Sequence, residues 1–447
     1  MSASRRHFLK SAAIYSTAFA GLHRFASNKA GAATFTAEGF GPLKPDDKKL
    51  LDLPPGFSYQ VISRAGDKMS DGFVTPGAPD GMAAFPAGKD RTVVIRNHEI
   101  SPGAKPETGP FGPKNELFKK LPAGKIYDAG HREQPNLGGT TSIVYNTSQQ
   151  KVERSYLSLA GSLRNCAGGP TPWNSWITCE ETMVTVGREC AKDHGFNFEV
   201  PASPDITLTD PVPLRDMGRF NHEAVAVDPD SGMVYQTEDR PDGLIYRFIP
   251  KQPGKLAEGG RLQALAIGKR PLDTRNWTRK GIAVGEKRKA HWIDLQDVAS
   301  DSDFLRYRGS TDGAATFARG EGMWFSEGII YFACTNGGRA KRGQIWKYHL
   351  ADSLLELFIE PNDEALVDMC DNITVTPWGD LFLCEDGKGE QRVVGVTPEG
   401  GIYQFARNAL STSEFAGACF SPDGSTLFVN IQKSGHTIAI TGPWRKS

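Results

Sequence analysis

The sequence predicts an all-β protein: a six-bladed β-propeller with inserted loops and short helices. Three observations carry that expectation. The 447-residue chain holds 49 Gly and 29 Pro, so turns are frequent and helices few. A unit of paired short strands recurs six times, and units of about 40–50 residues with paired strands mark propeller blades. The strands of that unit end repeatedly on Asp or Glu.

The unit is plainest from Glu223, where an alternating strand meets the turn Asp228-Pro229-Asp230-Ser231-Gly232 and a second strand ends on Glu238-Asp239. It returns at Glu321, at Asp371 with the turn Thr376-Pro377-Trp378-Gly379-Asp380, and at Ala418 with Ser421-Pro422-Asp423-Gly424. These are turn sequences because Pro presets φ and Gly supplies positive φ. Two looser copies lie upstream, from Asp80 to Glu99 and from Cys166 to Cys179-Glu180-Glu181. The step from 321 to 371 is 50 residues and from 371 to 418 is 47, while 223 to 321 is longer. A sandwich or two barrels also consist of short strands and turns; the recurring acidic ends favour the propeller. Gly254 to Ser310 and Ser101 to Leu137 break the period and read as insertions, with irregular or helical content, that wall the mouth.

At the N-terminus Arg5-Arg6-His7-Phe8-Leu9-Lys10 precedes a mildly apolar run from Ser11 to Leu22 and the small-residue site Ala30-Gly31-Ala32. Basic, apolar and small-x-small segments in that order form an export signal, and the paired arginines make it a twin-arginine one. The expected organisation is a signal peptide over 1–32 and a single β-propeller catalytic domain over 33–447. The twin-arginine machinery is then a partner, and the protein is periplasmic or secreted. No stretch is apolar for long enough to predict a stable membrane span. Lys+Arg and Asp+Glu balance at 52 each, which gives no sign of a nucleic-acid partner. Seven cysteines leave at least one thiol outside any set of intrachain disulfides.

In a propeller the same position of each repeat faces the central channel. Here those positions hold Asp80, Glu223, Glu321 and Asp371, and the second strands end on Glu99, Glu180-Glu181, Glu238-Asp239 and Glu385-Asp386. Gathered carboxylates repel one another and take up protons unless cations join them. Oxygen ligands in number point to Ca²⁺, Fe or Mn rather than to a closed zinc site. Cys179, in the acidic Thr178-Cys179-Glu180-Glu181 end, is the candidate thiolate for a softer ion, or else a buried or disulfide cysteine; Cys384, in the matching place, is either that partner or a second ligand. Neighbours such as Glu180 and Glu181 point to opposite faces of an extended strand, so only one of the two is expected to reach an ion. His98 and His222, each in Asn-His-Glu, are expected either to bind metal or to orient the adjacent Glu. Arg319 shares a strand face with Glu321 and suits a bidentate grip on phosphate. Its other reading is a salt bridge to one of the carboxylates. Thr335-Asn336-Gly337-Gly338-Arg339 reads as a hairpin turn that can also supply groups near the mouth. There is no Gly-x-Ser-x-Gly elbow, no phosphate-loop motif and no His-Glu-x-x-His.

Together these segments resemble the PhoX-type alkaline phosphatases. The matching pieces are the twin-arginine start, Asp80-Gly81-Met82, Arg96-Asn97-His98-Glu99, Gly138-Gly139-Thr140-Thr141, Trp176 to Glu181, Asn221-His222-Glu223-Ala224, Arg319 to Met323 and Cys370-Asp371-Asn372. The resemblance implies an exported, monomeric phosphomonoesterase with two Fe³⁺ and three Ca²⁺ around a bridging oxo group. It implies iron ligation by Cys179, Glu223 and Glu321. The remaining metal ligands are expected among Glu99, Glu180, Asp371 and Glu385. Phosphate contact falls to Arg319, the expected catalytic residue, with Asn97 and Asn336 beside it. The rival expectations are a calcium-dependent propeller lactonase or esterase, and a non-catalytic binding propeller stabilised by calcium.

Overall fold

A computed structural model describes residues 35–131 and 134–446; the expected signal over 1–32 lies outside them. The described chain is all-β and propeller-like, built from five sheets. The first pairs Pro79–Pro86, Arg91–His98, Gly138–Asn146 and Lys151–Ser162, and the second pairs Asn165–Pro170, Ser175–Glu180 and Asn197–Pro201. A nine-stranded sheet runs from His222–Val227 at one edge to Gly320–Ser326 at the other. The fourth sheet starts at Cys370–Val375. The fifth holds Phe415–Phe420, Thr426–Ile431 and His436–Thr441.

Six strands begin the repeated units: Pro79–Pro86, Asn165–Pro170, His222–Val227, Gly320–Ser326, Cys370–Val375 and Phe415–Phe420. Each touches the next, and the last touches the first, so they form a closed ring. The residue after the axis-facing position is Gly or Ala in five of the six units, Asn372 being the exception, which lets the backbones approach closely. A Cβ on Gly322 would stand 2.6 Å from the Asp371 carbonyl oxygen. The chain also closes end to start: His436–Thr441 pairs antiparallel with Ser58–Arg64, so the fifth sheet is completed from the N-terminal side.

The units do not form six separate sheets. Two share the nine-stranded sheet because Lys287–Asp294 pairs with Gly260–Ile267 on one side and with Leu354–Ile359 on the other. The segment from Gly254 to Ser310, expected to be irregular or helical, is therefore partly strand. Its helical content is the 3-10 turn Leu256–Glu258 and, at its end, the α-helix Leu305–Thr311. Ser101 to Leu137 is irregular as expected, with 3-10 turns at Pro106–Thr108 and Phe118–Lys120.

The core lies between neighbouring sheets. Ala224, Phe317, Phe332 and Trp346 share one apolar cluster, and Phe382, Phe405, Val429 and Ile438 share another. All seven cysteines are buried and none is in a disulfide. A Cys179–Cys384 bridge is ruled out by position, since the two side chains belong to different clusters.

Candidate metal centre

Every inner strand breaks register at the same place. Pairing skips between Pro79 and Met82, Asn165 and Gly168, His222 and Val225, Gly320 and Met323, Cys370 and Ile373, and Ala416 and Cys419. Such a bulge re-aims the side chain it contains. The first residue inside each is Asp80, Cys166, Glu223, Glu321, Asp371 and Gly417. Five of the six thus bear a ligand atom at the mouth. The sixth is Gly417, whose φ of 64° favours glycine and whose added Cβ would stand 2.4 Å from the Asp80 carbonyl oxygen.

A second tier comes from the ends of the second strands. Glu99, Glu181, Asp239 and Asp386 each follow the residue that pairs with an inner strand, and Gln432 follows Ile431 in the same way. With Glu414 these residues line one cavity of about 160 Å³, joined among the described residues by two cations, Arg164 and Arg319. Nine carboxylates thus face a single opening. Three ligand groups come within 4.8 Å internally: Cys166 with Glu181 and Glu223; Glu223 with Glu321 and Asp371; Asp371 with Asp386 and Glu414.

The electrostatics follow from burial and crowding. Burial, then Glu99 and Asp371, drive the Asp80 carboxyl far above its usual range. Burial and Glu321 do the same to Glu223, and burial and Asp239 to Glu321. Asp371 is pushed to about 7 by burial and Asp386, and Glu181 to about 8 by burial against the pull of Arg164. Such a set takes up protons unless cations replace them.

The two arginines tie the tiers together. Arg319 donates Nε to Asp239 Oδ1 at 2.8 Å, and Nη2 to Asp239 Oδ2 at 2.9 Å and to Glu321 Oε1 at 2.7 Å. Arg164 Nη2 pairs with Glu99 at 2.9 Å and with Glu181. Gln432 Nε2 bridges Asp80 and Glu99 at 2.7 and 2.9 Å.

Of the residues expected from sequence, Glu99, Glu223, Glu321, Asp371 and Arg319 meet at this mouth. Cys179, Glu180, Glu385, Asn97 and Asn336 do not line it. Cys179 is fully buried in an apolar cluster, where its carbonyl faces the Cys166 thiol at 3.9 Å. The thiol that reaches Glu181 and Glu223 is Cys166. Glu180 and Glu385 face outward because strand neighbours alternate, and each has its own cation. Glu180 Oε1 meets His194 Nδ1 at 2.6 Å, and Glu385 holds Arg392 by two contacts. His194 is pushed to about 11, since Glu180 and Asp128 outweigh the burial that would pull it down. Asn97 spends all its polar atoms internally: its amide donates to the Cys166 and Ala167 carbonyls, and its oxygen accepts from Trp176 and Thr178. Its role is therefore to hold the Cys166 strand. The Asn336 carbonyl accepts from Trp277 at 2.6 Å. His98 lies between Gly77 O and Thr141, and His222 stacks on Phe220 at 3.6 Å; neither lines the mouth.

The donor set suits the expected metals. Carboxylates in number are calcium ligands, and a thiol among them suits a softer ion such as iron.

The sequence matches the family described as "Alkaline phosphatase PhoX" over residues 38–154 and 136–435. Comparison with curated proteins gives no match. Among solved structures, Pseudomonas fluorescens PhoX in complex with vanadate, a transition state analogue, superposes with a TM-score of 0.63. That alignment covers 92% of this chain and 98% of the other at 19% identity, a likeness of fold. A gluconolactonase from Xanthomonas campestris aligns over 91% of this chain and 99% of its own at 12% identity, with a TM-score of 0.40. On its family match the chain belongs to the PhoX alkaline phosphatases, hydrolases of phosphoric monoesters.

Proposed function

We propose that this phosphatase is exported by the twin-arginine route and acts as a monomer. Its signal would span 1–32 and its single catalytic propeller 33–447, with six blades corresponding to the six inner strands. The ring of those strands supports that count although two units share a sheet. No helix among the described residues is long and apolar enough to cross a membrane.

The observation that carries the reading is the mouth: nine carboxylates and one thiol converge where, among the described residues, two arginines offset them. Cys166, Glu181, Glu223, Glu321 and Asp371 would hold the iron and part of the calcium, and Asp371, Asp386 and Glu414 the rest, with two Fe³⁺, three Ca²⁺ and a bridging oxo group as the proposed content. When bound, such ions supply Lewis acidity and an activated water-derived nucleophile at moderate pH.

The chain's own residues bind and orient the ester. Asp239 and Glu321 occupy Nε and Nη2 of Arg319 and fix its guanidinium, so Nη1 would meet a phosphate oxygen without reorganising. Burial of Asp80, Glu223 and Glu321 lowers the local dielectric and strengthens every charge interaction there. Glu223→Gln tests the reading. It should lower bound metal and hydrolysis of p-nitrophenyl phosphate together, and full activity with full metal content would contradict it.

A further inference from the structure

We propose that Arg164 is a second phosphate-contacting residue, the counterpart of Arg319 in a two-guanidinium clamp. The inference rests on reading the mouth as the phosphate site. Its basis is internal equivalence. Arg164 stands two residues before Cys166, and Arg319 two before Glu321, the axis-facing residues of their units. Both take the left-handed backbone conformation, with φ of 43° and 51°. The same unit position is left-handed at Ala78 and Met369 as well, so this backbone conformation belongs to the repeat and starts both arginine side chains from equivalent places. Each pairs with the acidic residue ending the preceding unit's second strand: Arg164 with Glu99 at 2.9 Å, Arg319 with Asp239 at 2.8 Å.

The donor pattern repeats as well. Arg164 gives Nε to the Glu181 carbonyl at 2.9 Å and Nη2 to carboxylates. Arg319 gives Nε and Nη2 to Asp239, and Nη2 also to Glu321. In both, Nη1 has no partner among the described residues. Both side chains remain partly open, 33% and 26% exposed, whereas Arg96 and Arg219 are sealed in the core. Each guanidinium is thus fixed by half of its fork and keeps two N–H bonds for an oxyanion. A transferring phosphoryl group spreads charge over three oxygens, more than one such nitrogen can meet.

The test compares Arg164→Gln and Arg164→Lys with Arg319→Gln. For each, inorganic phosphate is titrated by calorimetry and as a competitive inhibitor, and iron and calcium are counted by mass spectrometry. Arg164→Gln should keep its metals yet weaken phosphate binding and raise KM about ten-fold, the scale of a lost charge-assisted hydrogen bond. Arg164→Lys should fall between, keeping charge but losing the fork. Should Arg164→Gln shed metal, Arg164→Lys decides. Wild-type phosphate affinity in a metal-replete Arg164→Lys, with Arg319→Gln impaired, would overturn the proposal and leave Arg164 a tie between Glu99 and Glu181. Metal loss from both Arg164 variants would overturn it too. Unchanged phosphate binding in Arg319→Gln would instead contradict the underlying reading of the mouth.

Discussion

Arg392 grips Glu385 at both oxygens, Nε to Oε2 at 2.6 Å and Nη2 to Oε1 at 2.7 Å, on the strand face turned away from the mouth. The same division recurs at Glu180 with His194 and at Glu238, whose carboxylate lies 3.7 Å from Arg306. In each acidic doublet the first residue is neutralised from outside, and the second (Glu181, Asp239 or Asp386) faces the mouth.

Breaking one of these outer pairs should therefore cost stability rather than metal. Arg392→Ala leaves a buried carboxylate unpaired and is expected to destabilise the fold by about 3–5 kcal/mol. Denaturant unfolding checks the loss, and metal analysis of the folded variant should match the wild type. Loss of metal without loss of stability would place Glu385 at the ions after all.

The two cysteines of the second unit should separate in the same manner. Cys166→Ala is expected to lose iron and its visible absorption, because Cys166 is the thiol grouped with Glu181 and Glu223. Cys179→Ala removes an apolar core contact and should cost about 1–3 kcal/mol of stability, with the spectrum kept. The reverse pattern would make Cys179 the ligand.

The raised carboxyls set a pH dependence for the protein stripped of metal. Asp371 at about 7 and Glu181 at about 8 hold protons better folded than unfolded, where such groups titrate near 4. Their stabilisation is complete below about pH 4 and is lost as pH rises through 7 and 8. The melting temperature of the metal-free protein should fall from pH 5 to pH 9, and calcium should restore it at the upper end. A melting temperature that rises with pH would contradict this origin.

Much of the architecture was legible because the repeat is written in turns and acidic ends. Asp80, Glu223, Glu321 and Asp371 were placed on the axis from unit position alone, and all four reach it. What failed was parity. Whether Glu180 or Glu181 faces inward depends on where the bulge falls, and a bulge leaves no fixed residue signature. Cys166 opens the second unit in the place Asp80 holds in the first, a signal that unit position carries and that the glutamates beside Cys179 in sequence outweigh. Arg164, Glu414 and Gln432 come from connections outside the strands, and only folding brings them to the mouth. The sharing of one sheet by two units depends on Lys287–Asp294, inside a segment whose sequence breaks the period.

If this mouth binds metal and hydrolyses phosphomonoesters with it, metal and turnover rise and fall together. The most direct test is the turnover of p-nitrophenyl phosphate by the purified protein, with bound iron and calcium measured on the same sample, before chelation, after it and after calcium is returned. The expected result is iron and calcium in the active protein, loss of hydrolysis on chelation and recovery with calcium. Hydrolysis that survives removal of every metal, or a metal-replete protein without hydrolysis, would contradict it.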